Sequence, residues 1–176
     1  MLFRSSEGIS TIDTLVISHA DADHFNAVPD LLARFRVGRI VVSESFVASA
    51  AVGVAEVRGR AAARGVPLCT VRAGDSVAVD PLCRVRVLHA GPGNASADPR
   101  GDDNESSIVL SVESAGRRLL LTGDIEGEAL ARLVRSGPGA CDVLVAPHHG
   151  SRTTLPAHVA AAATPDWVLV SGVGGR

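Results

Sequence analysis

Tyrosine and lysine are absent from this chain of 176 residues, and its aromatic side chains number only one tryptophan and four phenylalanines. A stacking platform for single-stranded nucleic acid needs aromatic faces, so that class of binder is all but excluded. All 17 basic residues are arginine, a bias that points to a GC-rich genome rather than to a chemical requirement. The net charge of −2 and pI near 6.3 supply no global positive field to draw in nucleic acid. Three cysteines, Cys69, Cys83 and Cys141, are scattered without C-x-x-C spacing. Neither a zinc knuckle nor a redox pair is legible in them, and no disulfide framework argues for an oxidising compartment. No apolar run approaches the roughly 18 residues that span a bilayer. Met1-Leu2-Phe3-Arg4-Ser5 leads into no apolar signal core. The chain as given is expected to be soluble, with its compartment and oligomeric state open.

What is present is apolar and evenly spread. Hydrophobic residues make up 46% and the mean hydropathy is +0.24. That is enough for one well-buried domain, expected over residues 1–176. Short apolar runs read as strands at Ile12–Ile17, Arg39–Ser43, Pro67–Val71, Ser76–Val79 and Arg84–Leu88. Ile108–Val112 and Arg117–Leu121 form an expected hairpin around Ala115-Gly116, and Asp142–Ala146 and Asp166–Val170 follow. Helical spacing appears at Val28–Phe35, with Gly38 to end it, and at Ser45–Arg64, Glu126–Arg135 and Pro156–Ala163. Residues 90–103, rich in Gly, Pro, Asn and Asp, read as a long loop. The alternation predicts an α/β sandwich.

Three of these strands stop at ligand-type residues. The first runs into Ser18-His19-Ala20-Asp21-Ala22-Asp23-His24, which packs two imidazoles and two carboxylates into six positions. Such a set suits zinc, manganese or iron, and is hard to explain as packing or as a solubilising loop. Arg117–Leu121 ends in Thr122-Gly123-Asp124, and the strand beginning at Cys141 ends in Pro147-His148-His149-Gly150-Ser151. Either later motif alone is weak, since a strand-end Asp is often only a helix cap. In layered α/β sheets the crevice beyond the carboxyl ends of strands is where sites are built, and three strands ending this way read as one site.

These motifs together resemble the metallo-β-lactamase superfamily, most nearly the hydrolase domain of ComEC-type DNA-internalisation competence proteins. Asp21 stands where the wider superfamily's H-x-H-x-D-H motif has its second histidine, as in the ComEC-like branch. Pro147-His148-His149-Gly150-Ser151 and the segment Asn104-Glu105-Ser106-Ser107 match that branch too, and the likeness runs from about Leu2 to Gly172. It implies an αββα sandwich. Relatives begin with further strands before the first motif and continue past the last with a strand and a helix. The chain is therefore expected to be part of a longer gene product, attached to a membrane if that product is a full-length ComEC-type protein; a minimal relative is the alternative.

The resemblance also implies a site. His19 and Asp21 would hold one metal ion, Asp23 and His24 a second, Asp124 would bridge them and His148 would complete the second. Asp23 is also the expected proton-handling, catalytic residue. No histidine occupies the superfamily's third motif, where Ser106 takes a place that relatives fill with Asn. Asn104, Ser106, His149, Ser151 and Arg152 are candidate substrate contacts or supports. His89 reads as a strand-end residue and His158 carries no assignment. The donor set is rich in oxygen, which favours manganese over zinc as the pair of divalent ions. The implied function is a dinuclear metal-dependent hydrolase, a phosphodiesterase acting on DNA during competence uptake. Two readings stay open beside it: hydrolysis of a small ester, thioester or lactam, and a non-catalytic piece with an incomplete metal site.

Overall fold

Strands whose side chains alternate between two apolar surroundings need cover on both faces, and this chain supplies it with four layers. The computed structural model describes residues 8–91, 104–154 and 156–172. The first sheet is parallel throughout, in the order β1 (Thr11–Val16), β2 (Arg36–Val42), β3 (Leu68–Thr70). Parallel neighbours need crossovers. Helices α1 (Ala22–Phe25) and α2 (Val28–Arg34) carry the chain from β1 to β2, and α3 (Glu44–Ala48) and α4 (Val52–Ala63) from β2 to β3.

The second sheet has six strands in sequence order: β4 (Ser76–Asp80), β5 (Cys83–Ala90), β6 (Ile108–Ser114), β7 (Arg117–Leu121), β8 (Val143–Val145) and β9 (Trp167–Leu169). Pairing is antiparallel from β4 to β7 and parallel from β7 to β9. The parallel part has helical crossovers, α5 (Gly127–Ser136) and α6 (Pro156–Ala163).

Successive strand residues point to opposite faces, and the core follows that rule. Val41 packs between the sheets with Val77, Val85, Val87, Ile108 and Leu110. Its neighbours Ile40 and Val42 turn to the other side, onto Phe25, Phe46, Val54 and Val57 of the first helical layer. Val109 and Leu120 likewise face away from the seam, onto Ala129, Leu130 and Leu133 of α5 and Val159 and Ala163 of α6. The result is the αββα sandwich expected from the sequence.

Some elements differ from expectation, for local reasons. The single helix read at Ser45–Arg64 is two: Ser49 and Ala51 are extended (ψ 133 for each), and Ser43 caps the first by accepting from Phe46 N at 3.1 Å. Gly53 lies inside the second helix, and the Phe25 ring packs where its Cβ would stand, which explains glycine there. Gly38 does not end α2, which stops at Arg34 with Phe35 extended. It lies inside β2, where a Cβ would meet the Asp13 carbonyl oxygen of β1 at 2.6 Å. The expected hairpin is present: Ala115 (φ 50) and Gly116 (φ 72) make the two left-handed turn residues between β6 and β7. The loop read at residues 90–103 lies outside the described residues from 92 onward.

Candidate metal centre

The three motifs meet at one end of the two sheets. After β1, Ile17 N still bonds Val41 O at 3.0 Å, and the chain then leaves the sheet at Ser18. Asp21 is extended and α1 starts at Ala22, so Asp23 and His24 sit on its short turn. Ile108 N, at the start of β6, donates to Ser18 O at 2.8 Å, and His148 N donates to Gly123 O at 3.1 Å. Asp124 N donates to Ser107 Oγ at 3.1 Å. Gly123 suits this junction. Its φ is 54, and a Cβ there would lie 3.1 Å from Cβ of both Ser18 and Ser107.

Within this junction His24 is central. Its Nε2 lies 3.2 Å from Asp124 Oδ2 and 3.5 Å from Asp23 Oδ2. Nε2 is buried and makes no hydrogen bond among the described residues. His19, fully buried, has Nε2 3.4 Å from Asp21 Oδ2. Two groups of potential metal donors overlap here, His19–His24–Asp124 and Asp23–His24–His149, each with its donor atoms within 4.8 Å of one another. A buried imidazole nitrogen facing carboxylate oxygens, inside a mixed nitrogen and oxygen set, fits a divalent cation.

Hydroxyls orient the imidazoles. Ser18 Oγ lies 3.0 Å from Nδ1 of His19 and 3.2 Å from Nδ1 of His24. Ser107 Oγ lies 3.3 Å from Nδ1 of His19. A hydroxyl oxygen has two acceptor sites, so Ser18 can accept from both rings and leave each Nε2 with a lone pair toward the cluster. Ser18 and Ser107 escaped the sequence reading because serines beside a motif carry no signal of their own.

The double histidine divides its work. His149 Nε2 is 3.4 Å from Asp124 Oδ2 and 3.9 Å from Asp23 Oδ2. His148 pairs with Glu126, its Nδ1 3.0 Å from Oε2. Both histidines have left-handed backbones, φ 47 and φ 55. Such residues cost about 1–3 kcal/mol each and persist only where surrounding structure fixes them. Glu126 also accepts from Asn104 Nδ2 at 2.9 Å and from Thr153 Oγ1 at 3.4 Å. Partial burial raises its pKa, but the hydrogen bonds from Asn104, His148 and Thr153 outweigh that and hold the carboxyl below its ordinary value.

The other sequence candidates stand further back. Asn104 is buried and engages Glu126, and Ser106 packs against Gly91, whose Cβ would meet its Cα at 3.0 Å. Ser151 Oγ pairs with Thr153 Oγ1 at 2.9 Å, and Arg152 is exposed on the following turn. His89 Nε2 bonds Glu105 O at 2.9 Å, and burial lowers its pKa.

Comparison with known proteins agrees with this architecture. Residues 2–169 match the family model of the metallo-beta-lactamase superfamily. ComE operon protein 3 of Bacillus subtilis (strain 168) is 32% identical over 151 residues, covering 85% of this chain and 18% of that protein. Competence protein ComA of Neisseria gonorrhoeae is 38% identical over 72 residues, 40% of this chain and 10% of that protein. The chain thus spans less than a fifth of the length of either relative. Among solved structures, CmlA, a diiron beta-hydroxylase from Streptomyces venezuelae, superposes with a TM-score of 0.57 at 18% identity, over 90% of this chain and 35% of that one. That likeness concerns the fold. With its αββα layers, its strand-end motifs and a family match over nearly its whole length, the chain belongs to the metallo-beta-lactamase superfamily.

Proposed function

We propose that this chain is a metal-dependent hydrolase with two divalent ions, manganese or zinc, acting as a phosphodiesterase on DNA. The observation that supports a paired site is that two donor groups adjoin, with Asp124 Oδ2 3.2 Å from His24 Nε2 and 3.4 Å from His149 Nε2. His19, Asp21 and Asp124 would hold one ion, and Asp23, His24 and His149 the other, with Asp124 between them. We assign His149 to this set because its Nε2 faces Asp23 and Asp124, whereas the sequence led to His148. Bound ions would supply Lewis acidity and a water acidic enough to yield hydroxide near neutral pH.

The chain's own residues orient and move protons around that chemistry. Ser18 and Ser107 hold the rings of His19 and His24 with Nε2 inward. Asp23 is the exposed carboxylate of the cluster and can carry a proton between solvent and the reacting oxygen. Arg152, on the exposed turn after the double histidine, would be the side chain that meets a phosphate. The DNA substrate rests on the ComEC-type resemblance and on the competence proteins among the relatives.

Metal content per chain and cleavage of linear DNA test this reading. About two ions per chain, with cleavage abolished by chelator, are the expected result. Asp124→Asn should lose metal and cleavage together while remaining folded by circular dichroism. Turnover of nitrophenyl esters with inert DNA would transfer the assignment to a small-ester, thioester or lactam substrate. No stoichiometric metal would reduce the chain to a non-catalytic module.

A further inference from the structure

Glu126 carries no motif signature, yet it joins three separate segments beside the site. It follows Ile125, which is fully buried in the core beside α5, and stands two residues past Asp124. It occupies the N-cap position of α5 with extended backbone, φ −146 and ψ −171, but its side chain makes no capping bond there. Glu105 caps the helix in its stead, with Oε1 accepting from Glu128 N at 3.3 Å and lying where a Cβ on Gly127 would fall. The Glu126 carboxylate is thereby turned toward the histidine turn. Its two oxygens accept from three separate segments: Asn104 before β6, His148 after β8, and Thr153 on the next turn.

We infer that Glu126 is the positioning residue of the double-histidine turn, holding His148 so that His149 faces Asp23 and Asp124. An ionised carboxylate can only accept, so the proton of His148 must reside on Nδ1. That bond fixes the ring of His148, and with it a backbone that has two successive left-handed residues and no glycine until Gly150. The carboxylate–histidine pairing is the arrangement by which proteins orient imidazoles around metal ions. Here it acts one residue away, through the turn, on His149. The inference deepens the metal-site reading of the proposed function and rests on it, but it does not depend on DNA being the substrate.

The test compares Glu126→Gln and Glu126→Ala with Glu128→Gln. Glu128 is the control: it lies two residues on, with its carboxylate paired to Arg135 at 2.6 Å on the surface of α5. The first readout needs no metal. Imidazole nitrogen NMR of the metal-free protein should show His148 in a single Nδ1–H tautomer, and Glu126→Ala should mix the tautomers in a chain that still melts cooperatively. The second is manganese affinity by calorimetry. Loss of an orienting partner typically weakens metal binding about 10–100-fold, so Glu126→Ala should fall in that range, Glu126→Gln should fall less, and Glu128→Gln should match wild type. Adding Glu126→Ala to His149→Ala should weaken manganese no further than His149→Ala alone, because the carboxylate acts through that ring. An unchanged His148 tautomer, or additive losses in the double variant, would overturn the inference. Failure of DNA cleavage with these effects intact would sink the nuclease reading and leave Glu126 in place.

Discussion

Gly123 shows how little freedom the junction has. Replacing it with alanine forces a left-handed φ on a residue with a side chain and drives a Cβ to 3.1 Å from both Ser18 and Ser107. Gly123→Ala should lower stability by about 1–3 kcal/mol in urea titration, and it should weaken metal binding, since the two displaced serines orient His19 and His24. Ser107→Ala removes the acceptor for the buried Asp124 N–H and should cost roughly 1–3 kcal/mol by the same titration. His19, His24 and Asp124 could be picked out of the sequence because four ligand-type residues crowd one turn and a third carboxylate ends another strand. Ser18, Ser107 and Glu126 could not, because serine and glutamate near strand ends and helix starts are too common to single out. That His149 Nε2 lies toward Asp23 and Asp124 depends on two backbone angles that a dipeptide of identical residues does not reveal.

Among the elements, one carboxylate clips the start of β7 to the segment before β8. Asp142 accepts from Arg117 Nη1 at 2.6 Å and from the Arg118 backbone N–H at 2.7 Å. The Arg117 hydrogen bond, then that backbone bond, hold its carboxyl below the ordinary value of 3.8. The folded pKa lies below the unfolded one. The stabilisation is therefore present above about pH 4 and is lost as acid protonates the group on the way down to its folded pKa. Asp142→Asn should be less stable than wild type at pH 7, with the difference vanishing toward pH 2 in thermal melts. Strand positions and the hairpin at Ala115-Gly116 were legible because short apolar runs and a two-residue turn have strong local rules. The break between α3 and α4 was not. Ser49 and Ala51 carry no breaker, and the interruption reflects how each short helix packs on the sheet through Phe46, Val54 and Val57. Gly38 misled for a related reason: a glycine after a helical run reads as a stop, while its use here is the close approach of the β1 backbone.

For the molecule as a whole, bound ions would shift the folding equilibrium. Ions that bind only the folded chain stabilise it by about 2.7 kcal/mol per site at a hundredfold excess over Kd. Manganese should thus raise the melting temperature and chelator should reverse the rise; a melt indifferent to both would contradict the paired site. On the outermost strand of the six-stranded sheet among the described residues, β9 and its continuation expose Trp167 (71%), Leu169 (54%) and Val170 (63%). Flat apolar edges template association. Leu169→Lys should reduce light scattering of concentrated protein without changing manganese affinity. Among the described residues no helix is long and apolar enough to cross a membrane.

The site also straddles the seam between the sheets. His19, Asp23 and His24 follow β1 of one sheet, while Asp124 and His149 follow β7 and β8 of the other. A cation gripped by both would work as a rivet, opposing any shear of one layer over its neighbour. Pulled by its ends in an optical trap, the ion-loaded chain should resist as a single mechanical unit, and the stripped chain should part in two steps at lower force.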